Sequence, residues 1–380
     1  MLKNMAARSE IKSLTGLRGA AAVLVLIYHA MARGTGFEPV DRIIHHGYIS
    51  VDLFFVLSGF VMAMTYGSLV ERGAIWSHQW AFLGHRIARI FPLYAVVTLA
   101  CFLLAEIGLL HPPGIDNLFH ALLKNLLMIQ AWGAGGSGLN NPGWSISAEW
   151  GAYLLFPALA GAALLSSRTA TIGIAVLSAV VVIILAALPD AAYFIVRNGP
   201  LNIAFGPTPA PLVRCLSEFT LGLLAWRLSR HDGARLLSGR NLPSSVLSIA
   251  ILVLLGFPES DAVLVVLFPL LIVSLCTDRP VVARFLASGL IYRLGVWSYA
   301  IYLVHEPILE GSPAVEEFMA AHGVPQAHAL GHGLVVVLVF VIAALAHRIV
   351  EVPGRRVLRT YFAFLQHRSP VPAVKSYIER

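Results

Sequence analysis

A chain of 380 residues with 58% hydrophobic and 12% charged positions carries about half the charge of a soluble globular domain. With a mean hydropathy of +0.77, it cannot be a soluble single-core protein; most of it belongs in a bilayer. The formal net charge of +7 does not indicate a nucleic-acid partner, because no base-stacking or groove-reading module accompanies it, and in a membrane chain excess Lys and Arg first sets orientation.

Lys3, Arg8 and Lys12 precede the first apolar run, 14–33, as they would in a signal peptide. The run lacks a small-residue cleavage site and holds Arg18 and His29, so it reads as retained. Further apolar segments follow at 48–66, 88–110, 118–132, 148–166, 169–188, 212–228, 243–257, 261–277, 290–309 and 330–350. The stretch 118–132 is short and interrupted by Lys124-Asn125. Without it ten crossings remain and both termini share one side. Of the 27 Lys and Arg, only Arg33, Arg42, Lys124, Arg197 and Arg214 then lie opposite, as the positive-inside rule requires.

The expected fold is therefore an all-α membrane protein of about ten transmembrane helices, with N and C termini cytoplasmic and a non-spanning or re-entrant segment in the 111–147 outer loop. That loop and a second, 189–211, are rich in Pro, Gly and Asn, and loops this long are commonly functional. The organisation reads as a cytoplasmic N-terminal segment 1–13, a transmembrane domain 14–353 and a short basic cytoplasmic tail 354–380. Cys101, Cys215 and Cys276 lie in or beside apolar runs without CxxC spacing; they read as packing residues, and no metal is expected.

Ionisable residues inside spans are functional candidates, since each is costly there unless paired or hydrated. Arg18 and His29 are eleven residues apart, which on a helix places them within about 20° of one face and roughly 16 Å apart along the axis. Arg86 and Arg89 are three apart and share a face; they fit either interfacial anchors or a polyanion site, and Arg18 at the same depth favours the second. Toward the opposite membrane face three carboxylates enter spans: Asp52, Glu149 and, directly after His305, Glu306. Asp52 also fits a helix-start carboxylate, and Glu149 a capping box with Ser145 or Ser147. His29, Asp52, Glu149 and His305 fall at similar depth, and a His beside carboxylates in a partly dry site makes a general base.

These residues lie in blocks that resemble the acyltransferase-3 family of membrane O-acyltransferases, from Leu14-Thr15-Gly16-Leu17-Arg18-Gly19 to Glu351-Val352-Pro353. An R-x10-H pattern falls on Arg18 and His29, and a GVDLFFVLSGF-like block on Ser50 to Phe60, with Ser50 in place of its first Gly. The RxxR pattern falls on Arg86 and Arg89, a WSxSxEW-like block on Trp144 to Trp150, and a final block on Ser298 to His305. The resemblance implies an acyl-CoA donor, usually acetyl-CoA, bound from the cytoplasm, and a hydroxyl acceptor on a surface polysaccharide or lipid-linked glycan outside a bacterial inner membrane.

In that frame Arg18, Arg86 and Arg89 hold the CoA phosphates. His29 is the general base, or a transient acyl carrier, supported by Glu149 or Asp52. Asn141, Trp144, Ser145, Ser147 and His305 are the candidate acceptor-binding residues. An acidic acyl group would need a cation such as Arg33, Arg42 or Arg197. The partners expected are acyl-CoA, the glycan acceptor and membrane lipid. The alternative is a proton-coupled transporter of a sugar or anionic substrate, in which the same His and carboxylates form a relay; the lack of an internal repeat weighs against it.

Overall fold

The computed structural model describes residues 10–32, 34–133, 138–194, 196–204 and 207–368, and these are all-helical, with no strand among the described residues. Arg33, a candidate partner of an acidic acyl group, lies outside them.

Helix α1 (Lys12–Ala30) is followed by a short α2 (Glu38–His45), α3 (Ser50–Glu71) and α4 (Gln79–Glu106). The stretch with Lys124-Asn125 forms α5 (Leu118–Leu126), which at nine residues reaches about 14 Å and is too short to cross a hydrocarbon core. Asn117 starts it, its side chain accepting from the His120 N–H at 2.9 Å.

Helices α6 (Gly143–Leu154) and α7 (Phe156–Leu165) meet at a 65° bend. Pro157 cannot donate to the Tyr153 carbonyl one turn back, and Gln79 Nε2 supplies donors to the loosened carbonyls of Tyr153 and Leu154, at 3.5 and 3.1 Å. Then come α8 (Arg168–Ala187), α9 (Ala210–Ser229), α10 (Asn241–Leu254), α11 (Asp261–Leu275), the short α12 (Val281–Leu286), α13 (Gly289–Leu309), α14 (Ser312–Ala321), α15 (Ala327–Ala346) and α16 (Val352–Arg368).

Six helical stretches are long and apolar enough to cross a membrane, seven if the bent α6–α7 pair is one span, which makes this a multi-pass membrane protein. Helices α9 and α13 have spanning length but carry buried Arg214, Glu218 and His305.

Small residues set the packing that builds the site. A Cβ on Gly19 of α1 would lie 2.5 Å from the Gly295 backbone N of α13, and one on Gly295 would lie 1.9 Å from the Thr15 carbonyl. Gly59 of α3 and Gly222 of α9 approach the facing backbones of Phe219 and Val56 as closely. In lipid, where apolar area alone does not drive helix association, such close backbone contact does. The α1–α13 and α3–α9 pairs bring His29 to His305 and Asp52 to Arg214.

Of the stretch read as a basic tail, the described residues up to Arg368 are helical. A π-helical turn at His347–Glu351 continues α15 into α16, which packs along α4. The extra residue of that turn aims fully buried Glu351 at Arg89.

Candidate active site

At one end of the bundle His29 lines a cavity of about 260 Å³ with Tyr28, Tyr48, Asn141, Trp144, Asn202, Arg214 and Tyr302. The His29 Nδ1 lies 2.9 Å from the Val25 carbonyl, which can only accept, so this nitrogen carries the proton. His305 is wholly buried and its Nδ1 meets the Tyr302 carbonyl at 2.7 Å, so its Nε2 is the acceptor, 3.3 Å from His29 Nδ1. Two acceptors thus hold His29 in one tautomer with Nε2 unprotonated. That nitrogen lies 4.0 Å from Glu306 Oε2, close enough for the carboxylate to balance a proton taken up there. The other Glu306 oxygen accepts from Asn141 Nδ2 at 2.6 Å, whereas Oε2 is buried without a hydrogen-bond partner among the described residues.

The wall around His29 is braced from α11. Asp261 accepts from the Tyr48 hydroxyl at 2.8 Å, from the Leu201 N–H at 2.6 Å and from His46 Nε2 at 2.5 Å. This fixes the segment carrying Asn202, whose Nδ2 donates to the Tyr28 hydroxyl at 3.0 Å. Tyr28 then keeps its own proton free to donate, at a ring set edge-on to His29 with centroids 4.7 Å apart.

Asp52 and Glu149, the carboxylates expected to support His29, make their hydrogen bonds to other residues. Asp52 receives Nε and Nη2 of Arg214 in a fork, and all three members of the Asp52–Arg214–Glu218 group are buried. Both Asp52 oxygens are thus engaged by one guanidinium. Glu149 accepts from the Tyr153 hydroxyl at 2.6 Å and lies within electrostatic reach of Arg18 and Arg86, toward the other end of the bundle.

Of the expected acceptor-binding residues, Asn141 and Trp144 line the cavity. Ser145 bonds the Tyr302 hydroxyl at 2.8 Å just behind it. His305 acts on His29 rather than facing the cavity. Ser147 is spent on structure, its Oγ accepting from the Ala131 N–H at 3.1 Å. The sequence named Glu306 without assigning it, and missed Tyr28, Asn202 and Tyr302. Adjacency to His29 and His305 was the available signal for Tyr28 and Glu306.

At the other end Arg18, Arg86 and Arg89 converge. Arg18 is in electrostatic reach of Arg89, Glu149 and Glu351. Arg86 lies over the Tyr66 ring, 5.8 Å from its centroid, and its Nε is buried without a hydrogen-bond partner among the described residues. Arg89 pairs with Glu351, which also binds His347 at 2.9 Å, and lies over Tyr299 at 5.4 Å. A helix face runs from this basic end to His29, as the eleven-residue spacing predicts.

The family described as "Acyltransferase domain" matches residues 11–348, nearly the whole length of the chain. The chain belongs to the acyltransferase-3 family. Its membership makes this an acyl-transferring enzyme. Among curated family relatives, "Acyltransferase MdmB" of Streptomyces mycarofaciens is 30% identical over 382 aligned positions, covering 92% of this chain and 92% of that protein. "Protein 2 in picA locus" of Rhizobium radiobacter is 34% identical over 163 positions, covering 37% of this chain and 81% of that protein. No solved structure matches.

Proposed function

We propose that this enzyme transfers an acyl group, acetyl in the simplest case, from a cytoplasmic acyl-CoA to a hydroxyl of a surface polysaccharide or lipid-linked glycan at the outer face of a bacterial inner membrane. The observation that carries the reading is the tautomer of His29, a residue of the cavity wall whose Nε2 is left unprotonated 4.0 Å from Glu306 Oε2. The acceptor O–H gives its proton to Nε2 as its oxygen attacks the thioester carbonyl. Glu306 balances the imidazolium. Tyr28 donates a hydrogen bond from its hydroxyl to the carbonyl oxygen as negative charge builds there. On collapse the C–S bond breaks and His29 returns its proton to the leaving thiolate, so an ester and free CoA thiol are the products.

Arg18, Arg86 and Arg89 hold the donor phosphates in this reading, and the unpartnered Arg86 Nε fits that role. An uncharged acyl group is favoured because the candidate cations among the described residues are occupied. Arg197 donates to Asp190, holding that carboxyl below its ordinary range, and to the Leu188 carbonyl, and Arg42 pairs with Glu38 on its own helix. Arg214, the cation on the cavity wall, is committed to Asp52.

Purified protein in nanodiscs, given acetyl-CoA and a glycan acceptor, is expected to release thiol and form ester in equal amounts. Transport of either compound without thiol release would overturn the reading in favour of a carrier. The ligand atoms of His29, His305 and Glu306 lie within 4.8 Å of one another and could hold a cation. Here they move a proton instead, so turnover unchanged by chelators is the expected result. Tyr28→Phe removes one oxyanion donor and should lower kcat about a hundredfold with little change in donor affinity. A kcat within twofold of wild type would remove Tyr28 from the mechanism.

The proposed topology has ten crossings: α1, α3, α4, α6–α7, α8, α9, α10, α11, α13 and α15, with both termini cytoplasmic. His29, Asp52, Arg214, Asp261 and His305 each fall at the same end of this alternating thread, which supports it. With the native cysteines replaced, a cysteine at Asp116 should react with an impermeant reagent from outside and one at Gly233 only after the membrane is opened. Labelling of both from one side would break the ten-span thread.

A further inference from the structure

The basic end of the molecule is larger than the two arginine motifs that mark it in the sequence. Helix α16 packs along α4, with a close approach at Gly354, where a Cβ would lie 2.5 Å from the Pro92 side chain; only glycine permits it. This contact brings Arg355 and Arg359, one turn apart on α16, beside Arg86 and Arg89, one turn apart on α4. Arg359 is in electrostatic reach of Arg86 and Arg89, and Arg355 of Arg89 and Glu351.

With Arg18, five guanidiniums share this region with two carboxylates, Glu351 and Glu149. The Nε atoms of both Arg86 and Arg359 are buried and lack a hydrogen-bond partner among the described residues. Like charges packed this closely repel, and a dehydrated N–H without an acceptor is a further penalty. A bound polyanion relieves both.

We propose that Arg355 and Arg359 extend the donor site onto α16 and bind the terminal phosphomonoester of a CoA-type donor. This rests on the acyl-CoA reading given above. That donor carries a diphosphate and a separate 3′-phosphate. The more enclosed Arg18 and Arg86 lie nearer the path to His29 and suit the diphosphate. Arg355 and Arg359 are half-exposed at the rim, where the far end of the ligand would remain. An anionic lipid headgroup presents the same phosphate chemistry and is the other source to be distinguished.

The test crosses a ligand truncation with a residue truncation. CoA and 3′-dephospho-CoA are titrated against wild type and Arg355→Gln/Arg359→Gln in nanodiscs, made either of phosphatidylcholine alone or with phosphatidylglycerol. Wild type should bind CoA at least about tenfold more tightly than 3′-dephospho-CoA, from one or more charge-assisted contacts. The double variant should lose that preference while binding 3′-dephospho-CoA as wild type does, and Arg355→Lys/Arg359→Lys should recover part of it.

Unchanged preference in the Gln variant overturns the assignment, and so does an equal loss of affinity for both ligands. A defect seen only in phosphatidylglycerol discs assigns the pair to lipid instead. If wild type binds neither ligand in either disc, the acyl-CoA reading itself fails, a result distinct from loss of the α16 contact.

Discussion

Replacement of His29 by Gln is expected to lower acyl transfer by about 10²- to 10⁴-fold, the range that a positioned general base contributes. The side chain is a quarter exposed on the cavity wall, and Gln fills much the same volume, so folding and insertion should survive. Donor affinity should also survive, because the phosphate-binding end is roughly 16 Å away along α1. The measurement is single-turnover ester formation by purified protein at matched folded concentration. Turnover above a tenth of wild type would remove His29 from the chemistry. His305→Gln is expected to fall between the two, since it removes one of two acceptors that hold the His29 Nδ1 proton and leaves the Val25 carbonyl in place.

Much of this was legible before any coordinates. Apolar runs located the long helices, Lys124-Asn125 marked the helix that is too short to span, and eleven-residue spacing placed Arg18 and His29 on one face. The pairings across the bundle were not legible, because depth along a span says nothing about direction around it. Arg214 was counted as a loop-side topology charge, yet it binds Asp52 across 162 residues of sequence.

Glu149 shows a second reason. Taking its span to begin at 148 put it at the mouth beside His29. The helix begins at Gly143, so Glu149 lies six residues, about 9 Å, farther in, where Arg18 and Arg86 are. A polar, Gly- and Ser-containing first turn hides a helix start from any hydropathy window. The α16 arginines were hidden for a different reason: a basic amphipathic segment after the last apolar run is indistinguishable from a solvated tail until Gly354 is seen against Pro92.

These positions rank the three carboxylates, and the ranking is the second large expectation. Glu306→Gln keeps the acceptor for Asn141 Nδ2 but removes the charge facing His29 Nε2, so turnover should fall about 10²- to 10³-fold while donor affinity holds. Glu149→Gln lies among the arginines and should act on donor KM, with kcat near wild type. Asp52→Asn should act on folding. It leaves the buried Arg214 guanidinium without its full counter-charge, on a scale of about 3–5 kcal/mol for a broken buried pair. Glu218, with an oxygen 3.5 Å from Arg214 Nε, softens that loss. The readouts are therefore kcat for Glu306, donor KM for Glu149 and folded yield or Tm for Asp52. If Glu149→Gln instead abolished kcat with donor KM intact and Glu306→Gln turned over normally, the His29–Glu306 pair would be wrong. The carboxylate serving His29 would then have to reach it through a rearrangement of α6.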